Sequence, residues 1–267
     1  DAVSIRFGDA PEAVSDTSFT VEDGDHLAVI GETGSGKSVL LLAILGLLPG
    51  TAQVQGAIRL NGRDLLQCRE RELCQIRGRE IAYIPQGSGN GLNPLYTVGH
   101  QLCETIRKHR RCSRQEALRE AAALLESFGL ENAVALCSSY PFQLSGGMRQ
   151  RVLIAMGIAA GAGLVLADEP TKGLDAFYKS QFAKLLLELK DQGKTILLVT
   201  HDVEFAAEVS DRCALFFDGQ IISQGEPNRF FAANNFYTTA ASRISRTLFP
   251  NAVLCRDVVA LCKGELG

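Results

Sequence analysis

Residues Gly31-Glu32-Thr33-Gly34-Ser35-Gly36-Lys37-Ser38 set two glycines, a lysine and a hydroxyl residue at P-loop spacing. Glycines let backbone N–H groups converge on phosphate oxygens, and a helix start adds positive potential. Lys37 can reach the β- and γ-phosphates of a nucleotide, and the Ser38 hydroxyl can ligate Mg²⁺. The motif needs a strand before it and a helix after it. Residues 27–30 are an apolar run suited to a buried strand, and 39–45 read as a helix. The plain alternative is a Gly/Ser turn ahead of a core helix.

Two further sets of residues could do chemistry beside it. Four apolar residues, 164–167, precede Asp168-Glu169, which places two carboxylates at the C-terminal end of a buried strand, where open α/β sheets bind ligands. In this Walker B form Asp168 would hold Mg²⁺, and Glu169 would orient or deprotonate an attacking water. Taken alone, an Asp-Glu pair at a strand end is often a solvated turn. Leu144-Ser145-Gly146-Gly147-Met148 puts a hydroxyl and two glycines directly before a helix, a second nest for an anion. One chain thus carries two phosphate-binding elements.

The chain must supply the scaffold for these groups. With 267 residues, 46% of them hydrophobic, it can bury a large core as one big domain or two lobes. A net charge of -3 without long runs of one sign gives no electrostatic footprint for nucleic acid. Eight scattered cysteines show no Cys-x-x-Cys pair, which favours free thiols in a reducing compartment over a structural metal site. The longest uncharged runs, 39–54 and 152–167, are broken by Pro49-Gly50 and by glycines and fall short of the roughly 18 to 20 residues of a membrane span. No signal peptide is visible. A first residue Asp1 suggests a trimmed chain or one domain of a longer polypeptide.

Read for elements, the opening is β-rich, with strands expected at 3–7 and 13–21 and a strand with a tight turn over 55–62. A strand at 81–84 ends at Pro85-Gln86. Residues 98–128 turn helical, with Ser113 and Glu116 placed for a capping box. Thereafter helices (148–160, 176–190, 203–209) alternate with strands (164–167, 195–199, 213–217), which argues for a largely parallel sheet. The expected fold is α/β: a P-loop NTPase core with a mainly parallel sheet, an N-terminal antiparallel β region and an inserted helical lobe. The expected domains are 1–225, with the lobe at about 92–148, and a C-terminal helical extension, 226–267.

With these motifs in this order, the chain resembles a nucleotide-binding subunit of the ATP-binding cassette (ABC) superfamily from Phe7 to the end of the 213–217 strand. The resemblance implies two cassettes meeting head to tail, the Ser145-Gly146-Gly147 loop of one closing over the γ-phosphate held by the P-loop of the other. It implies that Gln86 senses Mg²⁺ and the attacking water, that Asp175 communicates across the dimer, and that His201 contacts the γ-phosphate. Without it, Gln86 would be a plain loop residue and His201 a helix-start histidine. Phe7 stands where the family more often has an adenine-stacking Tyr, and Val39 replaces a common Thr after Ser38. ATP and Mg²⁺ are the implied cofactors.

Two importer types are suggested. Residues 92–99 and 140–154 look like importers of dipeptides, oligopeptides or nickel. Residues 169–175, 200–205 and 235–239 resemble energy-coupling-factor transporters for vitamins and transition metals. Either type implies separate membrane permease subunits, received by the lobe around 87–109, a second ATPase subunit, and a substrate-binding protein at one remove. The implied location is peripheral, on the cytoplasmic face of the cell membrane. A soluble cassette acting on DNA or ribosomes is the rival, set back by the short interval between Ser38 and Leu144. A catalytically dead scaffold is set back by the presence of Lys37, Asp168, Glu169 and His201.

Overall fold

The structure is a computed structural model that describes residues 1–87, 91–234 and 237–264. Residues 88–90 of the expected permease-facing stretch, and Asn235 and Phe236 of the run likened to energy-coupling-factor transporters, lie outside the described residues. In chain order the strands and helices are β1 (Val3–Phe7), β2 (Val14–Thr17), β3 (His26–Ile30), α1 (Lys37–Ile44), β4 (Ala52–Gln55), β5 (Arg59–Leu60) and β6 (Arg63–Asp64). There follow α2 (Glu70–Ile76), β7 (Ile81–Ile84), α3 (Val98–His109), α4 (Arg114–Ser127), α5 (Ala133–Leu136), α6 (Gly146–Ala159), β8 (Leu164–Asp168) and α7 (Ala176–Asp191). The chain closes with β9 (Thr195–Thr200), α8 (Val203–Val209), β10 (Arg212–Phe217), β11 (Gln220–Gly225), α9 (Pro227–Ala233), α10 (Ala240–Ser245) and α11 (Cys255–Lys263). Among the described residues no helix is long and apolar enough to cross a membrane.

Two compact units share these elements, one made of residues 1–69 and 197–267, the other of 70–196, and β9 carries the chain between them. In the first, β2-β1-β4 form an antiparallel sheet, and a second sheet runs β11-β10-β3-β9. β3 is buried at every residue, as a strand covered on both faces must be, and pairs in parallel with β10 from Arg212↔Leu27 to Leu215↔Ile30. In the second unit β7 lies parallel to β8 from Ile81↔Leu164 to Ile84↔Ala167, with helices α3, α4 and α6 packed together. The parallel strands, the N-terminal antiparallel region and the helical lobe are those expected from the sequence.

Local differences have physical causes. The expected strand 13–21 is pared to β2, where Asp16 takes a left-handed φ of 40°. The strand expected over 55–62 is instead the end of β4 and a separate β5–β6 hairpin, broken at Gly56. There φ is 94° and a Cβ would lie 2.4 Å from the Ala2 carbonyl oxygen. Asn61 and Gly62, with φ of 50° and 79°, make the hairpin turn. Three elements are new, the one-turn α5 among them. α2 was hidden by its charges, burying only Leu73 and Ile76, and β11 is a polar edge strand reached through the Asp218-Gly219 turn.

α4 begins with a complete capping box. The Ser113 hydroxyl accepts from Glu116 N at 3.2 Å, and the Glu116 carboxylate accepts from Ser113 N at 2.7 Å. Ser113→Ala should therefore lower stability by about 1 kcal/mol, read from chemical denaturation, with Ser113→Asp close to the parent.

All eight cysteines are free, and their settings differ sharply. Burial pushes the Cys213 thiol up to about 12 and Cys137 up to about 11. Cys74, Cys255 and Cys262 are exposed. A thiol reagent at mildly alkaline pH should label those three within minutes, leaving Cys137 and Cys213 to react only after denaturation. Rapid labelling of Cys213 in the native protein would contradict this burial.

Candidate nucleotide site

The P-loop belongs to the first unit and is built by close backbone approaches. At Gly31, directly after β3, a Cβ would lie 2.1 Å from the Phe216 carbonyl oxygen, and at Gly36 the same distance from that of Ala13. Gly34 and Gly36 take φ of 88° and 104°, the region glycine reaches without cost. The turn closes through Ser35 N to the Glu32 carbonyl, 3.3 Å, and Ser35 Oγ to the same oxygen, 2.9 Å.

α1 starts at Lys37 with Gly36 as its N-cap, so no cap side chain closes its first turn. Lys37 is buried, and its ammonium folds back on the loop, donating to Gly31 O at 2.9 Å, to Ser35 Oγ at 3.1 Å and to Glu32 O. Glu32, Thr33 and Gly34 are exposed at the loop tip, while Ser35, Ser38 and Val39 are half-buried. A tight glycine turn, a buried cation and an uncapped helix start form a donor set that suits a polyphosphate.

His201 and Phe7 are in the same unit. His201 is exposed directly after β9, between Thr200, which is fully buried, and Asp202, which caps α8 by accepting from Phe205 N at 3.1 Å. Asp202 N donates to Thr200 Oγ1 at 3.0 Å, fixing the turn that carries the histidine. Phe7 is half-buried at the end of β1, opposite Ala52.

The second unit holds the carboxylates. Asp168 and Glu169 are only 2% and 5% exposed at the end of β8, and Glu169 has a φ of 47°. A left-handed glutamate stores strain that the surroundings must hold, a pattern concentrated at functional sites. Its carbonyl accepts from Lys172 N at 3.1 Å, and Gln150 Nε2 donates to the Pro170 carbonyl at 3.2 Å, anchoring the turn on both sides.

Sequence reasoning missed Tyr83. Its hydroxyl donates to Asp168 Oδ2 at 3.3 Å, and burial, then the Asp168 charge, push its phenol well above the usual range. The signal was present: Tyr83 is the one polar residue in the strand Ile81-Ala82-Tyr83-Ile84. Gln86 follows that strand, exposed after Pro85.

Two loops of this unit start helices. Ser145 caps α6, its hydroxyl oxygen accepting from Met148 N at 3.3 Å, so the hydroxyl proton is the part that can face a ligand. Ser145 and Gly146 are exposed and Gly147 is half-buried. Asp175 caps α7, accepting from Tyr178 N at 3.0 Å.

Comparisons with known proteins point to one family. A family model described as ABC transporter matches residues 14–172. The dipeptide transport ATP-binding protein DppD of Escherichia coli K12 is 39% identical over 250 residues, covering 91% of this chain and 76% of that protein. The oligopeptide transport ATP-binding protein OppD of Bacillus subtilis 168 is 38% identical over 234 residues, 86% of this chain and 65% of that one. The glutathione import ATP-binding protein GsiA of Escherichia coli O157:H7 is 38% identical over 85% of this chain and 38% of its own length. Among solved structures, the ATP-binding cassette MJ0796, described as dimeric in a post-hydrolysis state with ADP and Pi, superposes with a TM-score of 0.74. It is 27% identical, with 84% of this chain and 98% of that chain covered.

The chain belongs to the ABC transporter family. It has the ABC ATPase fold, binds ATP, and hydrolyses it in a cycle coupled to transport.

Proposed function

We propose that this chain is the ATP-hydrolysing subunit of an importer for peptides or peptide-like solutes, working as a head-to-tail pair of cassettes. The observation that carries the reading is the pair of anion-binding helix starts in one chain, the uncapped α1 behind the P-loop and the exposed Ser145-Gly146-Gly147 start of α6. The transported class is supported by the relatives above, which are named for dipeptides, oligopeptides and glutathione. A transition metal (nickel or cobalt) or a vitamin is the lesser reading.

In this mechanism residues 31–39 cradle the phosphates, with Lys37 exchanging its loop carbonyls for phosphate oxygens. The Ser38 hydroxyl and the Asp168 carboxylate are hard oxygen donors of the kind Mg²⁺ takes, and Gln86 would contribute an amide oxygen. Mg²⁺ would neutralise charge on the phosphates when bound. Glu169 orients and deprotonates water, and His201 donates to the γ-phosphate. From the partner cassette, Ser145, Gly146 and Gly147 add hydrogen-bond donors where negative charge develops. Asp175 lies at that same dimer interface, and Phe7 stacks on the base.

Residues 1–225 would form the ATPase domain, with the lobe at 92–148, and 226–267 its C-terminal extension. The permease is received by an exposed apolar surface of the lobe. Leu95 is 79% and Phe142 70% exposed, and the Tyr140 and Phe142 rings stack at 5.7 Å. Two bonds hold the loops that present them: Gln101 Nε2 donates to Asn93 O at 3.0 Å, and Val98 N to Ser139 O at 2.9 Å. The chain would then lie peripherally on the cytoplasmic face of the membrane, with a substrate-binding protein at one remove.

Affinity capture from detergent-solubilised membranes tests the reading. Recovery with a multi-spanning permease whose presence raises ATP turnover is expected. Recovery with ribosomes or DNA, and no membrane protein, would favour the soluble rival.

A further inference from the structure

We infer that Arg151 is a positioning residue that ties the loop Ser145-Gly146-Gly147 to the loop carrying Asp175, so that both meet a partner cassette as one body. The inference rests on the proposed head-to-tail dimer.

The geometry is specific. Arg151 is on α6 and is only 7% exposed. Nη1 donates to the Phe128 carbonyl at 3.2 Å and the Gly129 carbonyl at 2.9 Å, both at the C-terminal end of α4, where the helix dipole favours a cation. Nε reaches the Gly147 carbonyl at 3.4 Å, in the first turn of α6 itself. The guanidinium carbon lies 3.7 Å from the centre of the Tyr178 ring. Tyr178 is in the first turn of α7, and its backbone N–H is the group that Asp175 caps. One side chain thus touches the start of α6, the start of α7 and the end of α4.

Gly129 makes room for this stack. Its φ is 64°, and a Cβ there would come within 3.2 Å of Tyr178 Cε1. Lysine cannot replace this arrangement, since an ammonium has neither the flat face that stacks on Tyr178 nor the fork that reaches several carbonyls. A role confined to local stability would not distinguish the dimer from the monomer. The tether predicts that it does.

The test uses Glu169→Gln protein, in which hydrolysis is arrested, with Arg151→Lys, Tyr178→Leu or Tyr178→Phe added. ATP-driven self-association is followed by light scattering, ATP binding is measured on dilute monomer, and hydrogen exchange is measured at the first turns of α6 and α7. Arg151→Lys and Tyr178→Leu should each weaken self-association about tenfold or more, with monomer affinity for ATP within about twofold of the parent. Tyr178→Phe, which keeps the ring, should match the parent. The double variant Arg151→Lys/Tyr178→Leu should be no worse than the more affected single one.

Unchanged self-association in both single variants would overturn the tether, as would a parallel loss of monomer affinity. If the Glu169→Gln parent does not associate with ATP, the composite-site reading fails by itself. The tether is then decided by exchange: faster exchange at both helix starts in Arg151→Lys upholds it, and no change refutes it.

Discussion

Glu169→Gln is expected to stop ATP turnover while leaving ATP binding intact, so that the protein accumulates as an ATP-bound dimer. Glutamine keeps the size of the side chain and its ability to accept a hydrogen bond from water, but it cannot take a proton. Loss of a general base typically costs about 10²- to 10⁴-fold in rate. The backbone should tolerate the exchange, because main-chain bonds help to fix the turn at position 169. Its carbonyl holds Lys172 N, and the next carbonyl, that of Pro170, holds the Gln150 amide.

The left-handed φ of 47° is equally costly for Gln and Glu, so stability should barely change. Phosphate release measured beside equilibrium ATP binding separates the two effects. A variant that still turns over at the parental rate would remove Glu169 from the role of base. One that loses ATP binding as well would point to a structural part for this carboxylate.

Most of the architecture was legible because apolar runs bounded by glycine and proline report burial directly. The runs 27–30 and 164–167 lie within β3 and β8, while the Ser113/Glu116 spacing announced its capping box. What escaped was decided by contacts with distant residues. No local signal marks Gln220–Gly225 as a strand, since its pairing is supplied by β10. The break at Gly56 depends on where Ala2 comes to lie, more than fifty positions earlier. In the site, residue types and their order were readable, but second partners were not. Asp175 was read for what it offers a neighbour, and the structure adds that it already caps a helix. Tyr83 and Arg151 were overlooked because their partners lie on other elements of the fold.

Gly36→Ala should be far more damaging than Gly34→Ala, although both residues belong to the same loop and both have positive φ. At Gly34 a Cβ would meet nothing within 4 Å, so the cost is the backbone conformation alone, about 1–2 kcal/mol at φ 88°. At Gly36 the conformational cost is joined by a Cβ 2.1 Å from the Ala13 carbonyl oxygen, with the Phe216 ring at 3.4 Å on another side. A backbone carbonyl cannot swing aside as a flexible side chain can. Ala13 N is itself bonded to Ile5 O at 2.8 Å, so relief has to come from moving the P-loop.

The expected loss is about 3 kcal/mol or more, a fall in Tm of roughly 6–12 °C for a chain of this size. ATP affinity should fall with it, because Gly36 is the N-cap of α1 and a displaced cap turns the first-turn N–H groups and Lys37 away from the phosphates. Calorimetric melting of the two nucleotide-free variants isolates the steric part, since no phosphate is present to clash with the new methyl. Equal melting temperatures for Gly34→Ala and Gly36→Ala would mean that the approach of the Ala13 carbonyl does not constrain the loop, and the case for Gly36 would then rest on its φ alone.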